Sequence, residues 1–396
     1  MKSWTSLLQA PGFRAFWCAL LCNNLASWCV IAALPILIAE RFGSGMALVV
    51  SLGLRVIPKV VLAPLASRLL DRHGPARVAS LAMAAQAVLT VGLPWAHSLS
   101  TLQALIAAIG TLDLFVMPGL LALRAPVTPR GQEMAGNTLY SVADRAAKVV
   151  GPALGGMVIG VGTDLAFALF GVATAIAAIM VLRLASLPHA GGRRGRARTR
   201  SLRAFLAMLA NYQVAGLLIA AITYSVMMGG LRPFLFWANH DWFGASDSAW
   251  TALLAAQGVG ALIGAVVSAM FVGRLLRGMS AYTLTMAAGL AEGLFHLLLL
   301  FAQSADQAML LLVLAGIPEI VSTAAWFTAI QERLPVERQG ILFTFSAPLW
   351  DLAFALGTLS GGLHAQGMLS LSGYWAMVSL ISSAPLLPLL VLRRRD

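Results

Sequence analysis

The chain reads as long apolar runs separated by short stretches where charged and turn-forming residues gather. A helix rises about 1.5 Å per residue and the hydrocarbon core of a bilayer is about 30 Å thick, so about 20 apolar residues cross it. Runs of about that length fall near 15–39, 46–66, 78–96, 101–123, 135–160 and 165–182, then 207–237, 248–272, 280–302, 308–330, 340–364 and 373–392. The pattern predicts an all-α membrane protein with twelve transmembrane helices and short loops. Met1 to Pro11 is short and fairly polar, and the run after it is long enough to span, so no cleavable signal peptide is expected before the first helix.

Composition agrees with this reading. The chain is 59% apolar and only 11% charged, and its mean hydropathy of +0.84 lies outside the range of soluble globular domains. A net charge of +12 would suit a nucleic-acid binder, but the placement of the charge speaks against one. Of the 27 Lys and Arg, 21 fall at the termini or in even-numbered loops, Arg41 falls in an odd-numbered loop, and five lie inside spans. Lysine and arginine concentrate on the cytoplasmic side of membrane proteins, so both termini are expected in the cytoplasm. The run Arg193, Arg194, Arg196, Arg198, Arg200 and Arg203 lies in the longest loop, without the aromatic residues or folded module of a nucleic-acid site. It reads as a topogenic linker against anionic lipid. Cys18, Cys22 and Cys29 share one span, with no disulfide framework and no histidine or carboxylate to complete a metal site. They read as small buried hydrophobes, and no metal or cofactor is expected.

Comparing the chain with itself reveals a repeat at an offset of 206. Arg68-Leu69-Leu70 maps onto Arg274-Leu275-Leu276, Gln86 onto Glu292, Gly110 onto Gly316, Asp113 onto Glu319, and Gly155-Gly156 onto Gly361-Gly362. Asp144 lands one residue short of Asp351. A single gap-free offset predicts two pseudo-symmetric six-helix bundles, 1–185 and 207–396, joined by the Arg-rich linker 186–206.

Between the second and third runs lies a charged hairpin, Ser67-Arg68-Leu69-Leu70-Asp71-Arg72-His73-Gly74-Pro75-Ala76-Arg77. Its order, a small residue, three spacers, Asp-Arg, then Gly and a cationic end, resembles the loop signature of the major facilitator superfamily. Ser67 stands where the family has glycine, and Pro75-Ala76 weakens the basic end. Gly273-Arg274-Leu275-Leu276-Arg277-Gly278 reads as its degenerate second copy, lacking the Asp. The resemblance implies parallel repeats with the substrate site near the midplane between the halves. It also implies that Asp71 and Arg72, with Gly74 and Arg77, latch the cytoplasmic side. Gly151-Pro152-Ala153-Leu154-Gly155-Gly156 is similar to the end of the antiporter signature of that superfamily, although Thr138 and Ala147 replace its earlier glycines. Phe13-Arg14-Ala15-Phe16-Trp17, Ala33-Leu34-Pro35 and Gly43-Ser44 resemble the opening of bacterial exporters related to the enterobactin exporter.

The span charges carry the candidate chemistry. Five bases (Arg55, Lys59, Arg145, Lys148, Arg232) face five acids (Asp113, Asp144, Glu292, Glu319, Asp351), an equality that favours mutual pairing. A lone charge at the bilayer centre costs about 2.5–3.5 kcal/mol even on the gentlest scale. Arg55 and Lys59, four residues apart, share a helix face and form either a structural pair with a neighbouring acid or an anion-attracting patch. Asp113 is either their permanent partner or a proton carrier, since a carboxyl exposed alternately to apolar and cationic surroundings can bind and release a proton. The same two readings hold for Glu319, Glu292 and Asp351. Asp144 and Lys148 are spaced to neutralise each other, with Arg145 and the pliable Gly151-Pro152 segment read as gating elements. Glu292 and His296 form either a proton relay or a buried hydrogen bond. Asn23, Asn24, Arg232 and Trp326 complete the expected substrate contacts. The mid-span amides either face a wet cavity or bond across helices. Gly258, Gly260 and Gly264, inside an apolar run, are packing glycines rather than a nucleotide loop.

These features predict a secondary transporter, not an enzyme. The expected activity is proton-coupled export of a small amphiphilic or anionic compound, siderophore- or drug-like, by a monomer in a bacterial inner membrane. An uptake symporter or lipid flippase on the same fold is the alternative, and a non-transporting membrane receptor a more distant one.

Overall fold

The computed structural model describes residues 7–59, 62, 69–70, 72–129, 132–186 and 198–391, and among them every regular element is helical. The chain divides into two compact units, residues 1–194 and 195–396. The first contains α1 (Pro11–Phe42), α2 (Met46–Leu54), α3 (Pro75–Gly92), α4 (Leu99–Val127), α5 (Glu133–Ile159) and α6 (Thr163–Leu182). The second opens with a short helix, α7 (Arg198–Met208). It continues with α8 (Tyr212–Trp237), α9 (Asp247–Gly278), α10 (Ala281–Leu298), α11 (Ala305–Arg333), α12 (Val336–Ser360), α13 (Leu371–Ser383) and α14 (Leu386–Val391).

Among the described residues, ten helices are long and apolar enough to cross a membrane. Two expected spans do not count toward that ten. The 46–66 span runs into residues outside the described ones, and α5 carries Asp144, Arg145 and Lys148 in its middle. Side chains on the outer surfaces are as apolar as those inside: Val88 is 73% exposed and Met157 71%. Such surfaces would be an aggregation liability in water, and lipid is their natural solvent.

Hydropathy locates the crossings, but local chemistry ends the helices. The Asn211 side chain accepts from the backbone N–H groups of Gln213 and Val214, so the expected span 207–237 is two elements, α7 and α8. Likewise 373–392 breaks into α13 and α14 at Pro385, which has no N–H to continue the helical ladder. At the charged hairpin, Gly74 adopts φ +85°, a left-handed turn, and Pro75 starts α3. Ser67, Arg68 and Asp71 lie outside the described residues. The second copy follows the same course: α9 runs through Gly278, as residues 69–70 and 72–73 of the first copy are helical, and Gly74 maps 206 residues on to Ser280. The turn itself falls at Ser280, whose hydroxyl caps α10 by accepting from Thr283 N–H.

The repeat is kept with residue precision in one segment. α3, the 3₁₀ turn Leu93–Trp95 and α4 recur as α10, the turn Leu299–Phe301 and α11, every boundary shifted by 206. A helix crossing recurs with them. A β-carbon at Gly110 would collide with the Arg55 backbone, and one at Gly316 with the backbone of Gly260 and Ala261, the positions 206 residues on from Leu54 and Arg55. Both glycines permit backbone-to-backbone packing, as Gly260 and Gly264 also do from α9. Lipid is as apolar as leucine, so helix association within each unit rests on such packing and on interhelical hydrogen bonds. Trp17 Nε1 donates to Leu139 O (2.9 Å), Ser80 Oγ to Ala178 O (2.9 Å), and Tyr374 Oη to Gly230 O (3.0 Å).

Candidate functional site

In the first unit each of the two span acids holds a base. Asp113, on α4, receives Lys59 Nζ at 3.0 Å and Arg55 Nε at 3.8 Å, both on Oδ2. Gln86, from α3, donates its amide to Asp113 Oδ1 (2.7 Å) and to Ile109 O (3.1 Å). One carboxylate thus holds two cations and an amide donor. A second cluster joins α1 to α5. Lys148 Nζ lies 3.6 Å from Asp144 Oδ2, and Asn24 Nδ2 approaches Asp144 Oδ1 at 3.5 Å, the outer limit of hydrogen bonding. Asn23 in turn approaches Asn24, so the two buried amides bond along and across helices. Gly151 and Gly155 sit against Trp28 and Cys29 of α1 at the same seam, with the Cys29 thiol donating to Gly151 O at 3.1 Å. Pro152 lies within an otherwise continuous α5, and Arg145 is half-buried one residue from Asp144. Arg72 and Arg77 are exposed at the hairpin beside buried Gly74, while Asp71 lies outside the described residues.

The second unit is arranged differently. A cavity of about 240 Å³ opens among α8, α10, α11, α12, α13 and α14. Glu292 and Glu319 both line it, as do Tyr224, Trp326, Phe327 and Trp350, and no lysine or arginine does. The Tyr224 hydroxyl donates to Glu319 Oε1 at 2.9 Å. Glu292 is 3% exposed, and its Oε1 has no hydrogen-bond partner. The Trp326 indole N–H donates to Leu217 O (2.8 Å), which holds its ring against the cavity wall. Arg232, the base of this unit, lies 5.1 Å from the Phe354 ring centroid, and Asp351 is half-buried on α12.

Four of the five span bases lie in the first unit and three of the five span acids in the second. Glu292 and His296 meet in a buried hydrogen bond, made through the backbone rather than between side chains. His296 Nδ1 bonds to the backbone carbonyl of Glu292 at 3.0 Å, and the Glu292 carboxyl turns to the cavity instead.

Sequence reasoning missed Tyr224 as part of this site. The signal was present for Tyr224: a tyrosine at mid-span rather than at a membrane interface must find a partner for its hydroxyl, and the available one is an acid on a neighbouring helix.

Comparison with known proteins then identifies the architecture. Residues 16–358 match the family model for the Major Facilitator Superfamily. The uncharacterized MFS-type transporter y4rN of Sinorhizobium fredii is 25% identical over 404 aligned positions, covering 98% of this chain and 97% of the relative. Among solved structures, a POT family transporter in complex with a thioalcohol conjugated peptide superposes with a TM-score of 0.75 at 12% identity, covering 97% of this chain and 96% of the other. The nucleoside transporter NupG does so with a TM-score of 0.71 at 13% identity, covering 96% and 99%. At such identities the structural likeness concerns the fold alone.

Proposed function

The chain belongs to the major facilitator superfamily, a multi-pass membrane transporter acting on a small molecule, and on that premise we propose that it exports an amphiphilic compound across a bacterial inner membrane in exchange for protons. The observation that carries this reading is the pair of carboxyls, Glu292 and Glu319, lining one cavity. Two carboxylates sharing one site at membrane depth repel each other, and taking up a proton relieves that cost. A group that is neutral when sealed in the membrane and charged when open to water is what coupling to a proton gradient requires. Each charge moved across the membrane is worth about 2.3 kcal/mol per 100 mV.

Asp113 suits that role less well. Protonating it would leave Arg55 and Lys59 without their counter-charge, so it acts as a strut that holds α4 to the residues following α2. The same pairing weakens the case for Arg55 and Lys59 as an anion-binding patch, and with it the siderophore-exporter reading. Asp71, Arg72, Gly74 and Arg77 are assigned to a cytoplasmic latch, Asp144, Arg145, Gly151 and Pro152 to the moving seam, and Asp351 to a supporting role in coupling. The charge bias supports cytoplasmic termini, and a single chain suffices for the cycle.

Fold does not set direction, and the structural relatives include nucleoside and peptide transporters. Solutes retained by deletion cells but not by parent cells, with and without iron limitation, name the substrate. Everted vesicles with an imposed pH gradient then test the cycle, because export from cells becomes uptake into vesicles. Glu319→Gln is expected to remain in the membrane and lose at least tenfold in gradient-driven uptake. Full uptake by that variant overturns the assignment.

A further inference from the structure

We infer that the cavity of the second unit binds a flat heteroaromatic compound of one or two rings with a lactam edge, a ring carbonyl beside a ring N–H. This names a substrate class for the transport reading above and rests on it. The lining leaves a specific set of hydrogen bonds unmade. Six of its hydroxyls donate to backbone carbonyls, among them Ser322 to Thr285 O at 3.0 Å and Ser382 to Val378 O at 2.8 Å. Tyr224 donates to Glu319 Oε1, and Trp326 to Leu217 O. Three lining side chains are left with a buried polar atom that has no hydrogen-bond partner: Glu292 Oε1, Ser383 Oγ and Trp350 Nε1. Buried polar groups are nearly always satisfied, so three exceptions around one space describe the ligand that completes them.

Each of the three sets a requirement. An indole N–H only donates, so the ligand must bring an acceptor to Trp350. The carboxyl of Glu292, in a side chain 3% exposed, accepts an N–H when ionised, and as an acid it can also donate to a carbonyl. The Ser383 hydroxyl suits either kind of partner. A β-carbon at Gly293 would collide with that hydroxyl, so the glycine next to Glu292 makes room for it. A lactam edge carries both donor and acceptor. A carboxylate brings no donor for Glu292, and a quaternary ammonium brings no acceptor for Trp350. The walls select a flat body. Trp326 meets Phe327 at 5.1 Å and 85° and Trp350 at 5.7 Å and 69°, both edge to face, so these rings are not stacked on one another and a planar ring can take that place. At about 240 Å³ the cavity is smaller than the about 300–1,000 Å³ typical of drug-sized ligand sites. It admits one or two rings, and is too small for a large multi-ring siderophore.

The test is an edge series on the purified full-length protein in lipid nanodiscs, followed by calorimetry with protein-free nanodiscs as the blank. The probes share one two-ring body: 2-quinolone with its lactam edge, its N-methyl derivative without the donor, naphthalene with neither group, and the cation N-methylquinolinium. A site built to hydrogen-bond a ligand rejects the analogue lacking those groups, so 2-quinolone is expected to bind at least about tenfold more tightly than naphthalene and N-methylquinolinium, with the N-methyl derivative between them. Trp350→Phe keeps a ring and removes the N–H, and Glu292→Met removes the carboxyl. Each is expected to weaken 2-quinolone at least about fivefold and leave naphthalene unchanged. Equal affinity for 2-quinolone and naphthalene, a preference for the cation, 2-quinolone binding untouched by both substitutions, or no probe bound above the blank overturns the proposal. The probe series needs no variant, so a substitution that fails to fold does not remove the test. Gradient-driven uptake in vesicles separates the two readings. A protein that transports but does not prefer the lactam overturns this site alone, and one that prefers the lactam but moves nothing overturns the transport reading and upholds the site.

Discussion

Asp113 and Glu319 occupy the same place in two copies of one helix pair, each beside the residue that the offset of 206 assigns to it, Gln86 or Glu292. Their surroundings have diverged. Where the first copy has Arg55 and Lys59, the second has Ala261 and Ala265, and where the first has Cys18, the second has Tyr224. The first acid is consequently held by cations and an amide, while the second accepts from a phenol and shares a cavity with another carboxyl. Position in the fold did not decide which acid became a strut and which lines a cavity. The decision lies with the partner residues on α8, on α9 and in the segment after α2. A mid-membrane acid should therefore be judged by the residues facing it rather than by its depth.

Four substitutions test that difference. The largest effect is expected of Asp113→Asn, which strands two cations and should lower stability by about 3–5 kcal/mol, the usual cost of removing one partner of a buried pair. Glu319→Gln keeps an acceptor for the Tyr224 hydroxyl, and its thermal unfolding midpoint in detergent should stay near that of the parent protein. Equal shifts for the two would erase the distinction. Next, Gly110→Ala forces a methyl into the Arg55 backbone and should cost about 1–3 kcal/mol, as overpacking does. Gly316→Ala should cost a similar amount at the equivalent crossing. Only the Gly110 variant should also become easier to rescue by adding Asp113→Asn, because only there does the crossing position a charge pair. Independent, additive losses would count against that link.

Tyr224→Phe removes a single hydrogen bond to Glu319 and should lower the midpoint by the equivalent of about 0.6 kcal/mol, the average for such bonds in membranes. Its larger signature should be in gradient-driven uptake, and unchanged uptake would remove Tyr224 from the site. The smallest shifts are expected of the exchange that makes each copy resemble the other. Glu292→Gln removes a carboxyl that no base compensates and should raise the midpoint slightly, while Gln86→Glu should be tolerated because Arg55 and Lys59 lie close. A clear loss of stability from Glu292→Gln would mean that the carboxyl is held by a partner after all.

Much of this architecture was readable in the sequence, for an identifiable reason. Hydropathy adds along the chain, so the crossings and the offset of 206 emerge from one sequence without any knowledge of contacts. Helix ends are different: they depend on single capping groups such as Asn211 and Ser280, and on Pro385, which a span-length window averages away. The pairing of Asp144 with Lys148 was legible because it is local, one helical turn apart. The assignment of Arg55 and Lys59 to Asp113 needed the crossing at Gly110 to bring distant residues together. The cavity was the least legible feature. It is a space left between six helices, and no residue type announces where atoms are missing.

The residue-for-residue match of 75–127 with 281–333 has a practical consequence. Across these segments side chains have gained and lost charge, yet no residue has been gained or lost at the helix boundaries or in the 3₁₀ turns. Length is thus the inherited quantity, and the two segments are dimensionally interchangeable parts. A chimera carrying one in place of the other can be cut at equivalent residues without linker adjustment, whereas a tag inserted at the turn after Trp95 or Phe301 would break the one dimension that both copies have kept.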